Sequence, residues 1–212
     1  MKLVVPPPEI LLKSEINSFP GRSPNKISTV LTNVQRRNVQ TIAPTISKDL
    51  TIFQMSAQGE LVMLKQKLQQ HSTNINIQDA QGFTPLLWAS ANGQKAAVEL
   101  LLYCGADPYI KGGNGESALL LAAYRGHHDV VVYLLRAGFD VNISDELGNT
   151  ALMFATYFNH VAIVSTLLDW GADILVTNGD GLSSLEFAIK KNSKASQRII
   201  EKHLAQALQG KQ

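Results

Sequence analysis

Two adjacent histidines, His127 and His128, one cysteine, Cys104, and the glycine run Gly112-Gly113-Asn114-Gly115 are the places where this 212-residue chain could do chemistry. None of them reads as a reactive centre. Neighbours on a helix point about 100° apart, so the two imidazoles do not converge on one metal ion. A reactive thiol needs a base or a positive field beside it, and the sequence around Cys104 supplies neither. An inert thiol, buried or half-buried, is expected there. The glycine run lacks the lysine that follows a phosphate-cradling loop. Asn142-Ile143-Ser144 has the form of a glycosylation acceptor, which an intracellular chain does not use. The expectation is no catalytic residue, no metal and no cofactor.

A second kind of chemistry, recognition by apolar surface, is better supplied. Trp88, Leu121 and Phe154 recur at one constant spacing, and Phe187 lies one step further on. Two parallel rows accompany them: Ala91, Tyr124 and Tyr157, then Asn92, Arg125 and Phe158. A contiguous apolar and aromatic strip left open to solvent marks a partner site, with aromatics and arginine as its anchors.

Those rows exist because the chain repeats. The frame Asp79-x-x-Gly82-x-Thr84-Pro85-Leu86-x-x-Ala89-x-x-x-Gly93, then Val98, Leu101-Leu102 and Gly105-Ala106-Asp107, returns twice at that same spacing, with nine and then eleven of its thirteen positions kept. Thr84 suits a helix cap, and Pro85 suits the first helical position, where a missing N–H costs nothing. Leu86, Ala89 and Ser90 share one face, which stacking buries. Trp88 falls about 200° from Leu86, with Ala91 and Asn92 beside it, and so faces an open groove. Gly93 turns the chain, a second helix carries Val98, Leu101 and Leu102 inward, and Gly105 closes it in a left-handed cap.

A unit of about 33 residues marked by Thr-Pro-Leu resembles the ankyrin repeat. The expected fold is an all-α ankyrin-repeat solenoid of about five units, helix-turn-helix plus hairpin loops, over 49–208. The units fall at about 49–78, 79–111, 112–144, 145–177 and 178–208, and the end units present polar outer faces. Gly59 stands one position further from Gly93 than a single repeat allows, so the first unit is expected to hold one extra residue. His127 and His160 occupy positions where ankyrin units place a loop-binding histidine. Residues 1–48 hold six of the eight prolines and no sustained period, and read as a disordered tail.

Charge narrows the partners. Positions 1–48 carry seven Lys/Arg against two Asp/Glu, and positions 49–212 twelve against fifteen. A mildly acidic body does not grip phosphate backbones, so contact with DNA is expected only through other proteins. No apolar run reaches the roughly 18 residues of a membrane span, and Pro6-Pro7-Pro8 interrupts the start before a signal peptide can develop. A single cysteine excludes an internal disulfide. An intracellular protein without membrane insertion is expected.

Finer matches point to one branch of ankyrin proteins. They are Met55-Ser56-Ala57-Gln58-Gly59-Glu60-Leu61, Gly82-Phe83-Thr84-Pro85-Leu86-Leu87-Trp88-Ala89-Ser90, Gly115-Glu116-Ser117-Ala118-Leu119, Asn159-His160-Val161 and Ile199-Ile200-Glu201-Lys202-His203-Leu204. From about Ser28 to Leu208 the chain resembles the family that contains the ankyrin-repeat subunit of the regulatory factor X complex and ankyrin repeat family A protein. That resemblance implies a non-enzymatic adaptor binding Pro-x-Leu-Pro-x-Leu/Ile motifs in its concave groove. The implied partners are regulatory factor X subunits, class IIa histone deacetylases and a receptor tail, in nucleus and cytoplasm. The alternative is a cytosolic scaffold linking receptor tails or histone deacetylases through the same groove.

The family's groove tryptophan corresponds to Trp88. Its small polar residue is Leu121 here and its tyrosine is Phe154, which removes a phenol hydroxyl. The Asp-Trp-Asn-Gly-Gly loop expected in the family reads Asp145-Glu146-Leu147-Gly148-Asn149.

Overall fold

The computed structural model describes residues 50–70 and 73–209; the tail expected over 1–48 lies outside them. Among the described residues the fold is all-α, as expected. Ten helices alternate in pairs: α1 (Ile52–Gln58) and α2 (Leu61–Leu68), α3 (Pro85–Ala91) and α4 (Lys95–Tyr103), α5 (Ala118–Arg125) and α6 (His128–Arg136), α7 (Ala151–Tyr157) and α8 (Val161–Asp169), α9 (Ser184–Lys190) and α10 (Lys194–Gln209).

The start of each first helix is set by one chemical device. Thr51, Thr84, Ser117, Thr150 and Ser183 sit in extended backbone, and each hydroxyl accepts the N–H three residues on. Such a cap satisfies a donor that the helix itself leaves unpaired. These five caps are evenly spaced, Thr51 as far from Thr84 as Thr150 is from Ser183. The first unit is therefore not longer than the others, contrary to the expectation drawn from Gly59. Helices α1 and α3 have the same length, but the turn after α1 is Gly59-Glu60 where that after α3 is Asn92-Gly93-Gln94. A shorter turn displaces Gly59, and the longer connection after α2 restores the register.

Packing follows the repeat. The first helices α1, α3, α5, α7 and α9 stack in one row and the second helices α2, α4, α6, α8 and α10 in another. Leu86, Ala89 and Ser90 are covered, and Ala122, Ala155 and Ala188 are wholly buried at the Ala89 position, which lets neighbouring first helices approach closely. Val98 and Leu101, Val131 and Leu134, and Val164 and Leu167 are fully buried in the second row. Leu102 departs from expectation: it is only half-buried, whereas Leu135 and Leu168 at the same position are covered. Cys104 also departs. It caps α4 beside Gly105 and is exposed rather than buried or half-buried.

Histidines tie successive units. Nε2 of His127 lies 3.1 Å from the carbonyl oxygen of Ala91, and Nε2 of His160 lies 3.2 Å from that of Tyr124. A carbonyl only accepts, so in both rings Nε2 carries the proton. Each ring reaches over a turn glycine of the preceding unit: a Cβ on Gly93 would meet Nδ1 of His127 at 2.5 Å, and one on Gly126 would meet Cε1 of His160 at 2.7 Å. Both glycines also have positive φ, +71° and +81°. At the next junction Ser193 replaces the histidine, and the turn residue becomes Asn159, whose φ is +56°. Freed from the ring, Oδ1 of Asn159 instead accepts the Ser196 hydroxyl at 2.9 Å.

The connecting loops are stitched as well. Gly113 N donates to Gln81 O at 2.9 Å, Glu146 N to Asn114 O at 3.2 Å, and Gly179 N to Leu147 O at 2.8 Å. Within the loops, Asp79, Asp145 and Asn178 each accept two backbone N–H groups through Oδ1, the Asx-turn chemistry that makes these residues turn formers. The third unit has Gly112 at that position. There Oε2 of Glu116, four residues on, accepts Asn114 N at 2.9 Å and takes the part of the missing aspartate. A Cβ on Gly112 would lie 2.6 Å from that carboxylate oxygen and 2.5 Å from the ring of Phe83, so glycine leaves room for both.

Candidate peptide-binding face

The side chains singled out as groove residues lie on the first helices and on the residues that end them. Trp88 is half-buried on α3. Its indole Nε1 donates to Oδ2 of Asp79 at 2.7 Å, and the edge of Phe83 meets the indole with centroids 5.7 Å apart. Asp79 thus serves the loop through Oδ1 and the ladder tryptophan through Oδ2. Asn92 is half-buried at the end of the same helix, and its Nδ2 donates to Trp88 O at 2.9 Å. Ala91 is 4% exposed and offers the face almost no side-chain surface; its carbonyl carries the tie to His127.

Leu121, 9% exposed, forms the next step along α5. Beyond it the rings touch one another. Tyr124 meets Phe154 at 5.7 Å and Phe158 at 4.8 Å, Phe158 meets Tyr157 at 4.8 Å, and Tyr157 meets Phe187 at 5.8 Å, all edge to face. Phe158 also stacks on the imidazole of His160 at 5.9 Å. Edge-to-face pairs at these separations each contribute about 0.5–1.5 kcal/mol beyond area burial. Tyr124, Phe154, Tyr157, Phe158 and Phe187 therefore form one connected, half-buried strip, and Leu121 is the step of the row between that strip and Trp88.

Cations edge the strip. The Arg125 guanidinium lies 5.5 Å from the Tyr124 ring centroid, and the Lys191 ammonium lies 4.2 Å from that of Tyr157, distances at which the ring face attracts positive charge. Burial is the leading cause that holds the His127 imidazole below its ordinary pKa of 6.5; Arg125 and His160 push the same way, and the Ala91 carbonyl opposes them. At the far end Glu186 closes a capping box. The Ser183 N–H at 2.6 Å and its hydroxyl at 2.8 Å hold that carboxyl below its usual range.

Three contributors lie outside the groove residues read from sequence. Asp79 and Phe83 lie upstream of Trp88 in the loop, and only side-chain geometry relates them to it. Lys191 was legible, since it stands one repeat after Phe158 and continues the row of Asn92, Arg125 and Phe158.

Among the described residues no group of three or more His, Cys, Asp or Glu stands together as a metal cage, and no helix is long and apolar enough to cross a membrane. What the face offers is shape, ring surface and positive charge at its margin.

Sequence comparison agrees with the architecture. The family of ankyrin repeats (3 copies) matches residues 25–112 and 104–178. Human "Ankyrin repeat family A protein 2" is 47% identical over 90 residues, 42% of this chain and 28% of that one. Human "DNA-binding protein RFXANK" is 44% identical over 97 residues, 46% of this chain and 37% of that one. "Palmitoyltransferase akr1" of Emericella nidulans is 30% identical over 94 residues, 43% of this chain and 13% of that one. The aligned part spans about a third of the first two relatives. With five evenly spaced, capped helix pairs and a family match across most of its length, the chain belongs to the ankyrin-repeat family.

Proposed function

We propose that the chain is a non-enzymatic adaptor whose first-helix face takes an extended, proline-containing peptide of the Pro-x-Leu-Pro-x-Leu/Ile type. The observation that carries this reading is the row Trp88, Leu121 and Phe154: one largely apolar side chain from each of three stacked helices, in register, with the two rings half-exposed. Packed helices lie about 8–10 Å apart. A polyproline-type strand advances about 3.1 Å per residue, so one repeat matches about three ligand residues. A motif that places an apolar anchor at every third residue fits that pitch. Proline stiffens such a ligand in advance, which lowers the ordering cost of binding.

The related proteins give the adaptor its setting. In this reading the chain is a subunit of a regulatory factor X-like transcription assembly, with class IIa histone deacetylases and a receptor tail as further ligands of the same face. One of the relatives bears the name DNA-binding protein. Here, between residues 79 and 189, four Lys or Arg stand against twelve Asp or Glu, so DNA is reached through partners. Residence in both nucleus and cytoplasm accompanies this role. A peptide array probed with the full chain, followed by calorimetry on its best sequence, tests the reading. Enrichment of Pro-x-Leu-Pro cores supports it, and an array without them removes it.

A further inference from the structure

We propose that the peptide-binding face ends in a cationic subsite, built by Lys190 and Lys191, that selects ligands carrying aspartate or glutamate about three residues beyond the anchor seated on Phe154. The proposal rests on the groove reading above and adds a second recognition element to it.

The repeat register makes the subsite. Lys190 continues the row Ala91, Tyr124 and Tyr157, and Lys191 continues the row Asn92, Arg125 and Phe158. At the last step, therefore, two positions that carry rings in the preceding unit become lysines, while Phe187 keeps the third row aromatic. Lys191 stays attached to the strip, its ammonium 4.2 Å from the centroid of Tyr157, and both lysines are exposed. The pitch of about 8–10 Å per packed helix sets the distance to the Phe154 step at about three residues of extended ligand.

Charge singles this end out. Residues 190–202 carry five Lys or Arg and one acid, Glu201, in contrast to the acidic run before them. The acid closest to Lys190 in the helix, Glu186 one turn earlier, is already held by the N–H and hydroxyl of Ser183. Lys194 and Arg198 on α10 are exposed as well. A carboxylate-bearing segment is the complement of such a surface, and a peptide already lying along the strip delivers one without a separate binding event.

The test is fluorescence anisotropy on the full chain with three labelled peptides sharing one Pro-x-Leu-Pro-x-Leu core. One has neutral flanks, one a short glutamate run on the amino side, and one the same run on the carboxyl side. One acidic peptide should bind about fivefold to twentyfold tighter than the neutral one at low salt, with the gain fading as ionic strength passes about 0.15 M. The Lys190→Gln/Lys191→Gln variant, checked for unchanged melting, should lose the gain, so that its affinity for the acidic peptides falls to its own affinity for the neutral one. Acidic peptides that bind no tighter than the neutral one, or a gain that survives the double substitution, would overturn the subsite and leave the groove reading intact. Failure of the neutral peptide to bind would remove the groove reading, and the subsite with it. Displacement of the acidic peptide by short duplex DNA at matched charge would overturn the assignment to a peptide and mark a general polyanion surface.

Discussion

The indole N–H of Trp88 is donated to Oδ2 of Asp79, nine residues earlier and in the loop that opens the same unit, at 2.7 Å. The tryptophan at the head of the apolar row is thus fastened to the element that also turns the chain, because Oδ1 of the same carboxylate accepts Gln81 N and Phe83 N. One side chain thus takes part in both the loop geometry and the orientation of the ring.

Replacing the ring and replacing its tether should have different effects. Trp88→Ala is expected to weaken a Pro-x-Leu-Pro-type peptide by about 2 kcal/mol or more, the scale of an interface anchor. Asp79→Ala leaves the ring in place and removes this one hydrogen bond, so binding should fall less than in Trp88→Ala while stability falls by about 1–3 kcal/mol for the unpaired loop N–H groups. Calorimetric titration and chemical denaturation of the two variants separate the effects. Equal peptide affinity in folded Trp88→Ala and the unaltered protein would remove Trp88 from the site.

Gly112 and Glu116 form a compensated pair, and their substitution should expose it. Gly112→Ala forces a methyl against the Phe83 ring at 2.5 Å and the Glu116 carboxylate at 2.6 Å, an overpacking change of about 1–3 kcal/mol. Combined with Phe83→Leu, the penalty should be smaller than the sum of the single changes, because the ring is one of the two obstacles. Urea denaturation of the four proteins in the cycle measures the coupling; strict additivity would mean that the ring simply swings aside.

Two leucines adjacent in sequence should differ in cost. Leu101 is fully buried and Leu102 half-buried, so Leu101→Ala should destabilise by about 2–5 kcal/mol and Leu102→Ala by distinctly less. Thermal unfolding of both variants gives the order directly, and a larger loss for Leu102→Ala would contradict the packing described.

Acid should loosen the array through His127. Its folded-state pKa is lowered, chiefly by burial, so the neutral ring is the form that folding favours. The corresponding stability is complete above the unfolded value of about 6.5 and is lost as pH falls through the depressed folded value. Melting temperatures followed from about pH 7.5 to pH 5 should show a decline that is shallower in His127→Gln, since that variant has no proton to take up. An identical pH profile in both proteins would assign the acid sensitivity elsewhere.

Much of this architecture could be read from residue order alone, because the ankyrin unit writes its geometry into local signals. A hydroxyl before Pro85-Leu86, small residues at Ala89 and its equivalents, and glycines at fixed offsets each act within a few residues, and their helices form where they point. Inter-unit chemistry is less accessible. Gly112 looks like a degraded loop aspartate until the carboxylate of Glu116 is seen in its place. Leu102 shares its sequence position with Leu135 and Leu168 yet is less covered, a difference that the repeat frame does not register. The habit of its residue type gives Cys104 a sheltered place, whereas the end of α4 leaves it in solvent. On the candidate face, register locates the rows, but not Asp79 and Phe83, since neither lies on the helix they support.

The three backbone bonds between successive loops, from Gly113 to Gln81, from Glu146 to Asn114 and from Gly179 to Leu147, give each of these junctions one backbone rung, reinforced by the side-chain bonds Gln78 Nε2 to Lys111 O, Lys111 Nζ to Ser144 O and Asn178 Nδ2 to Asn149 Oδ1. Drawn out by its ends, such a molecule behaves as a zip fastener. Force concentrates on the outermost tooth until it parts, and only then reaches the next. Extension under tension should therefore advance in steps of about 110 Å, the contour length that one released unit contributes at some 3.3–3.6 Å per residue.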